Sequence, residues 1–213
     1  MSNNSGLILT RLQKDALGEL GNIGAGKAGV ALSKFLARDV SMSLPNLEIV
    51  NEIPIKAFQK QLFDEKEVAL IMLSTIQPTT FDLFCVITKE SVDKLLKIMF
   101  KEPEINTKMV RYRPIYHSLI KEIGSILLMQ YISALNKHLR VEHKITYPRA
   151  YFGALIDGIN KAIKENAITC NTKEKTATVR LKIFTVEENI TFDLIIAPCG
   201  DTIQKFLKAM HLA

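Results

Sequence analysis

Cysteine is scarce in this chain. Cys85, Cys170 and Cys199 are odd in number and far apart among 213 residues. That usage predicts a reducing, cytoplasmic setting, with neither a disulfide framework nor a zinc site. The four histidines, His117, His138, His143 and His211, show no metal-ligand spacing such as H-E-x-x-H. No apolar run approaches the length of a membrane span, and no basic segment precedes Leu7-Ile8-Leu9. Neither membrane insertion nor a signal peptide is therefore expected. Dense positive charge is also missing. The net charge is +6, but the lysines are dispersed and no basic run is interleaved with aromatics. This disfavours nucleic acid and fits a solvated surface suited to an acidic protein partner.

What is present is ordinary globular material, 47% apolar and 23% charged. The length allows one large domain or two small halves with a real core. The chain is organised around residues 15–32, which read as one long helix despite five glycines. Leu17, Leu20, Gly24, Ala28, Ala31 and Phe35 recur at three- and four-residue steps and predict its buried stripe. Asp15, Glu19, Asn22 and Gly26 fall on a different face. Asn is a poor mid-helix residue, because its amide competes with backbone bonds. A sequence that places Asn22 there, beside glycines, is keeping the amide for use.

The same stretch imitates a phosphate-binding loop. Gly21 to Lys27 spells G-x-x-x-x-G-K, and Gly24 to Gly29 spells G-x-G-x-x-G. Ala28 stands where Ser or Thr should ligate magnesium, and the preceding residues are helical in pattern where a strand should run in. A nucleotide-binding enzyme is disfavoured on both counts.

Along the chain, residues 38–44 alternate as a strand, which Pro45 and Asn46 end or bend. Residues 67–76 and 81–88 form a hairpin, followed by a helix over 91–100 with Ser91 as N-cap. After a polar linker over 101–113 the pattern starts again. A long helix spans 116–139, and a strand spans 142–147 and is ended by Pro148. A helix follows over roughly 153–165, then a hairpin over 176–186 and 190–198, and a closing helix over 201–210. At an offset of 103, Glu19 meets Glu122, Gly21 meets Gly124 and Pro45 meets Pro148; at 111, Phe81-Asp82-Leu83 meets Phe192-Asp193-Leu194. The expected fold is therefore α+β. It is an internally duplicated, pseudo-two-fold domain with repeats 1–101 and 102–213, and its long helices pack on a shared antiparallel sheet. The repeat singles out Glu19 and Glu122. Asp15 is matched by Ser118 and Asn22 by Ser125.

Asp15-x3-Glu19-x2-Asn22-x22-Pro45, with Glu19-Leu20-Gly21-Asn22-Ile23-Gly24-Ala25-Gly26 and Ala31-Leu32-Ser33, resembles the CheC/CheX/FliY family of chemotaxis phosphatases. The length is similar to that of CheC. The resemblance implies removal of the phosphoryl group from the aspartate of a CheY-type response regulator. By position it implies that Glu19 pairs with the regulator's active-site lysine and that Asn22 positions the attacking water. Placing a water in line is most of what acyl-phosphate hydrolysis needs from a helper. An amide does that without a pKa shift. Magnesium is expected on the regulator, and no cofactor on this chain. Glu122 and Pro148 keep the pattern in the second half, where Ser118 is an accepted first position and Ser125 departs from it. The second site is expected to be degenerate. The competing reading is a non-catalytic adaptor binding CheY-like or CheD-like partners; the resemblance to CheC implies a possible complex with the CheD deamidase.

Overall fold

The computed structural model describes residues 7–50, 53, 55–56, 67–101, 113–170, 176–199 and 201–212. Among these, eight antiparallel strands form one sheet. They are β1 (Val40–Met42), β2 (Asn46–Val50), β3 (Glu67–Gln77), β4 (Phe81–Thr88), β5 (Lys144–Ile145), β6 (Arg149–Ala154), β7 (Thr176–Thr185) and β8 (Thr191–Pro198). The order is β1-β7-β8-β4-β3-β5, with β2 also on β7 and β6 also on β3. β3 and β4 are apolar almost throughout because both faces of the sheet centre are covered. The early strands of the first half pair with the hairpin of the second, Leu47 opposite Val179, and those of the second pair with the hairpin of the first, Tyr151 opposite Leu70.

Five helices are described. The two long ones, α1 (Arg11–Leu36) and α3 (Arg113–Leu139), pack side by side on one face of the sheet, as expected. Ile71, Leu73, Leu83, Val179, Leu181 and Leu194 meet them there, flanked by α2 (Lys89–Phe100) and α5 (Thr202–Ala209). On the other face α4 (Leu155–Lys164) covers Leu70, Met72, Phe84, Val86 and Ile195. α3 is long and apolar enough to cross a membrane by length and composition alone, but half of its apolar window is buried, packed against α1 and β3.

Three glycines set how closely the helices approach. A Cβ on Gly24 would collide with the ring of Tyr131, whose hydroxyl donates to the Leu20 carbonyl at 3.3 Å. A Cβ on Gly21 would lie 2.8 Å from Val179, and one on Gly124 2.7 Å from Ile71. The first long helix thus rests on a second-half strand, and the second on a first-half strand.

Several expectations need correcting. The buried stripe of α1 turns to Leu32 and Leu36, leaving Phe35 exposed, because the helix follows β7 and not its own periodicity alone. Thr88, not Ser91, caps α2; the Thr88 side chain accepts from the Ser91 amide. The expected strand over 142–147 shrinks to two residues, and β2 and β6 appear where the sequence suggested a break or a helix start. The linker expected over 101–113 lies mostly outside the described residues. Cys170 and Cys199 are joined as a disulfide, with Cα atoms 5.0 Å apart, against the expectation of free thiols. Folding returns the segment after α4 to the end of β8, a proximity that their sequence separation of 29 hides.

Candidate functional site

The site is carried by one helix. α1 starts with a capping box, in which the Thr10 side chain accepts from the Gln13 amide and Gln13 returns a bond to the Thr10 amide. Its buried stripe fixes rotation about the axis, so Asp15 and Glu19 stand exposed and Asn22 half-buried on the opposite side. Asn22 Nδ2 donates to Glu19 Oε2 at 3.2 Å. That bond orients the amide and leaves its carbonyl oxygen and one N–H for another group. Asp15 sits 4.0 Å from Arg11 in an exposed pair, one turn away.

Pro45 belongs to this site through packing. Gly21, beside Asn22, leaves the room that Pro45 and Val179 occupy; a Cβ there would be 3.4 Å from the Pro45 Cβ. The chain between β1 and β2 thus runs along the helix next to Glu19 and Asn22. Leu44, just before Pro45, is 86% exposed, and Tyr147, just before Pro148, is 92% exposed. These two apolar residues were missed in the sequence, although a non-polar side chain ahead of each repeated proline was a signal. Farther along α1, Gly26, Gly29 and Val30 face Met42 across an open groove of about 390 Å³.

The second half repeats the position of the acid but not the chemistry. Glu122 and Ser118 are exposed. Ser125, the counterpart of Asn22, is only 5% exposed, and its hydroxyl donates to the Lys121 carbonyl at 2.6 Å. That back-bond within the helix uses the single proton a serine has. Gly21 to Lys27, which imitates a phosphate loop, lies mid-helix, where its backbone amides serve helical bonds.

An antiparallel sheet carries two long helices, one of which presents an exposed Glu19 beside a half-buried Asn22, and this arrangement is found in known proteins. The CheC-like family model matches residues 12–49, the span from α1 through β2 that holds Asp15, Glu19, Asn22 and Pro45. The CheY-P phosphatase CheC of Bacillus subtilis (strain 168) is 25% identical over 166 residues, covering 75% of this chain and 78% of that one. Thermotoga maritima FliY superposes with a TM-score of 0.69 at 18% identity, covering 97% of this chain and all (100%) of that one. The FliM middle domain of H. pylori gives 0.64 at 12%, covering 95% and 100%. The CheX–CheY–BeF3–Mg complex from Borrelia burgdorferi gives 0.55 at 11%, covering 84% and 97%. In residues 12–49 the chain resembles the CheC-like family, and its fold is similar to that of FliY.

Proposed function

We propose that this chain is a hydrolase that removes the phosphoryl group from the aspartyl phosphate of a CheY-type response regulator in chemotaxis signalling. Glu19 engages the regulator's lysine, and Asn22 holds the attacking water in line. The observation that carries this is the Asn22–Glu19 hydrogen bond on an open helix face, which fixes the amide beside the carboxylate. A pre-oriented amide lowers the entropy cost of placing water against a loose transition state. Magnesium belongs to the regulator under this proposal, and the reaction runs in the cytoplasm. Glu122 offers a second docking acid without a catalytic partner, because the Ser125 hydroxyl is already bonded. Binding of a CheD-type deamidase extends the same proposal and is tested by co-purification.

The test is the decay of a phosphorylated CheY-type protein with this chain titrated in. Acceleration that falls roughly 100-fold in Asn22→Ala, with regulator binding retained, is expected, as for loss of a positioning group. Glu19→Ala is expected to weaken binding as well. A second reading, a docking module without activity, is favoured by the likeness to FliM, a fold solved in complex with FliG from H. pylori. Binding of the regulator without faster decay would select it.

A further inference from the structure

We propose that Cys170 and Cys199 form a reversible dithiol–disulfide site that anchors the start of α5 and exchanges with small-molecule disulfides at Cys199. The proposal is independent of the phosphatase reading. It starts from geometry. The Cα separation of 5.0 Å lies within the range a disulfide requires.

Both cysteines are held in place by bonds that do not depend on the sulfur link. The Cys170 amide donates to Asp82 Oδ2 at 2.8 Å. Next to it, the Thr169 amide and hydroxyl donate to Asp82 Oδ1 at 3.1 and 2.5 Å. The Cys199 amide donates to the Thr80 carbonyl at 3.0 Å. Breaking the S–S bond therefore leaves the sulfurs facing each other, which makes re-formation an intramolecular step at high effective concentration. The Asp82 oxygens accept from Ser74, Thr169 and Cys170, and the sulfurs take each other. The grouping of Asp82 with the two cysteines within 4.8 Å is thus explained by thiol chemistry without a cation.

Access is asymmetric. Cys170 is 3% exposed, whereas Cys199 is half-buried. A glutathione thiolate attacks Cys199 Sγ, the S–S bond breaks, and its electron pair leaves on Cys170, which takes a proton. The resulting thiol has an acceptor ready, the Ala197 carbonyl oxygen 2.9 Å from Cys170 Sγ. A second glutathione thiolate attacks the glutathione sulfur of the mixed disulfide. That step releases the Cys199 thiol and oxidised glutathione. Two glutathione thiols are oxidised and one protein disulfide is reduced; oxidation of the protein is the reverse.

What the link would control follows from the repeat. At the offset of 111, Cys199 corresponds to Thr88, whose side chain caps α2. α5 has no side-chain cap hydrogen bond at its start. The Thr202 amide instead bonds the Cys199 carbonyl at 2.9 Å, so a covalently held Cys199 does for α5 what a capping hydroxyl does for α2. Just beyond the other end of α5, the Leu212 carbonyl accepts from Gln13 Nε2 at 3.0 Å, in the capping box of α1.

The test equilibrates the full chain in glutathione buffers of varied ratio, quenches with acid, denatures and alkylates, and counts labels by mass. Cys85 is the internal control. One label at the oxidising end, three at the reducing end and a graded transition between them are expected. The oxidised form should melt roughly 5–10 °C higher, and amides 202–209 should exchange more slowly in it. Cys199→Ser should give two labels at every ratio and fast exchange in α5 throughout. Three labels at every ratio, or one at every ratio, would overturn the site. A graded change in label count with no change in α5 exchange would overturn the anchoring.

Discussion

Asn22 and Ser125 occupy the same place in two helices and meet different fates. Asn22 reaches its own acid across the helix face, while Ser125 folds its hydroxyl onto Lys121 and is covered. Ser125→Asn should therefore give no gain in regulator dephosphorylation. It should cost about 1–3 kcal/mol of stability, because the larger amide enters a filled position; a denaturant melt beside the decay assay checks both. A second residue-scale prediction concerns His143, which is buried between Thr79 and Asn136. Nδ1 lies 2.5 Å from Asn136 Oδ1, an acceptor, so Nδ1 carries the proton and Nε2 accepts from the Thr79 hydroxyl at 2.6 Å. Burial holds its pKa below the ordinary histidine value of 6.5. The unfolded chain then binds a proton more readily than the folded one. The stability His143 contributes is complete above that value and drains away as pH falls through it toward the folded pKa. His143→Gln should flatten this part of a stability–pH curve; an unchanged slope would show that other groups set it.

At the scale of the element, the glycines of α1 do different jobs although they look alike in sequence. Gly24 is where α3 enters, through the Tyr131 ring, and Gly26 has nothing within 4 Å of a Cβ. Gly26→Ala should stabilise the protein by about 0.5–1 kcal/mol, the ordinary helix-propensity gain. Gly24→Ala should destabilise it by roughly 1–3 kcal/mol despite the same propensity gain, because a rigid aromatic ring must move. Equal effects in thermal melts of the two variants would mean that α1 and α3 are not packed as described.

The whole molecule places each half's first helix and first strands on the other half's hairpin. Gly21 on Val179 and Gly124 on Ile71 are counterpart contacts. The strand order also reads alike from both ends once β1 and β2 are exchanged for β5 and β6, β3 for β7 and β4 for β8. Both observations support an internal duplication. Superposing residues 10–100 on 113–211 should overlay the two helix–strand–hairpin–helix units, with α4 as the insert; failure of α1 to fall on α3 would reject it. The same interleaving predicts that neither repeat folds alone, since each would leave its edge hairpin and helix unpartnered. Expression of either repeat by itself, read by circular dichroism, checks this.

The sequence by itself determined the helices and hairpins, the α+β class and the common helix face of Asp15, Glu19 and Asn22. Those follow from local periodicity and turn chemistry, which act over a few residues. Tertiary structure alone decided which glycine is a contact, that Ser125 is closed, that Leu44 and Tyr147 stand out, and that Cys170 meets Cys199. Each of these depends on which surface arrives from a distant part of the chain. Strand exchange between the halves sets that arrival, and no spacing within a single helix or strand encodes it.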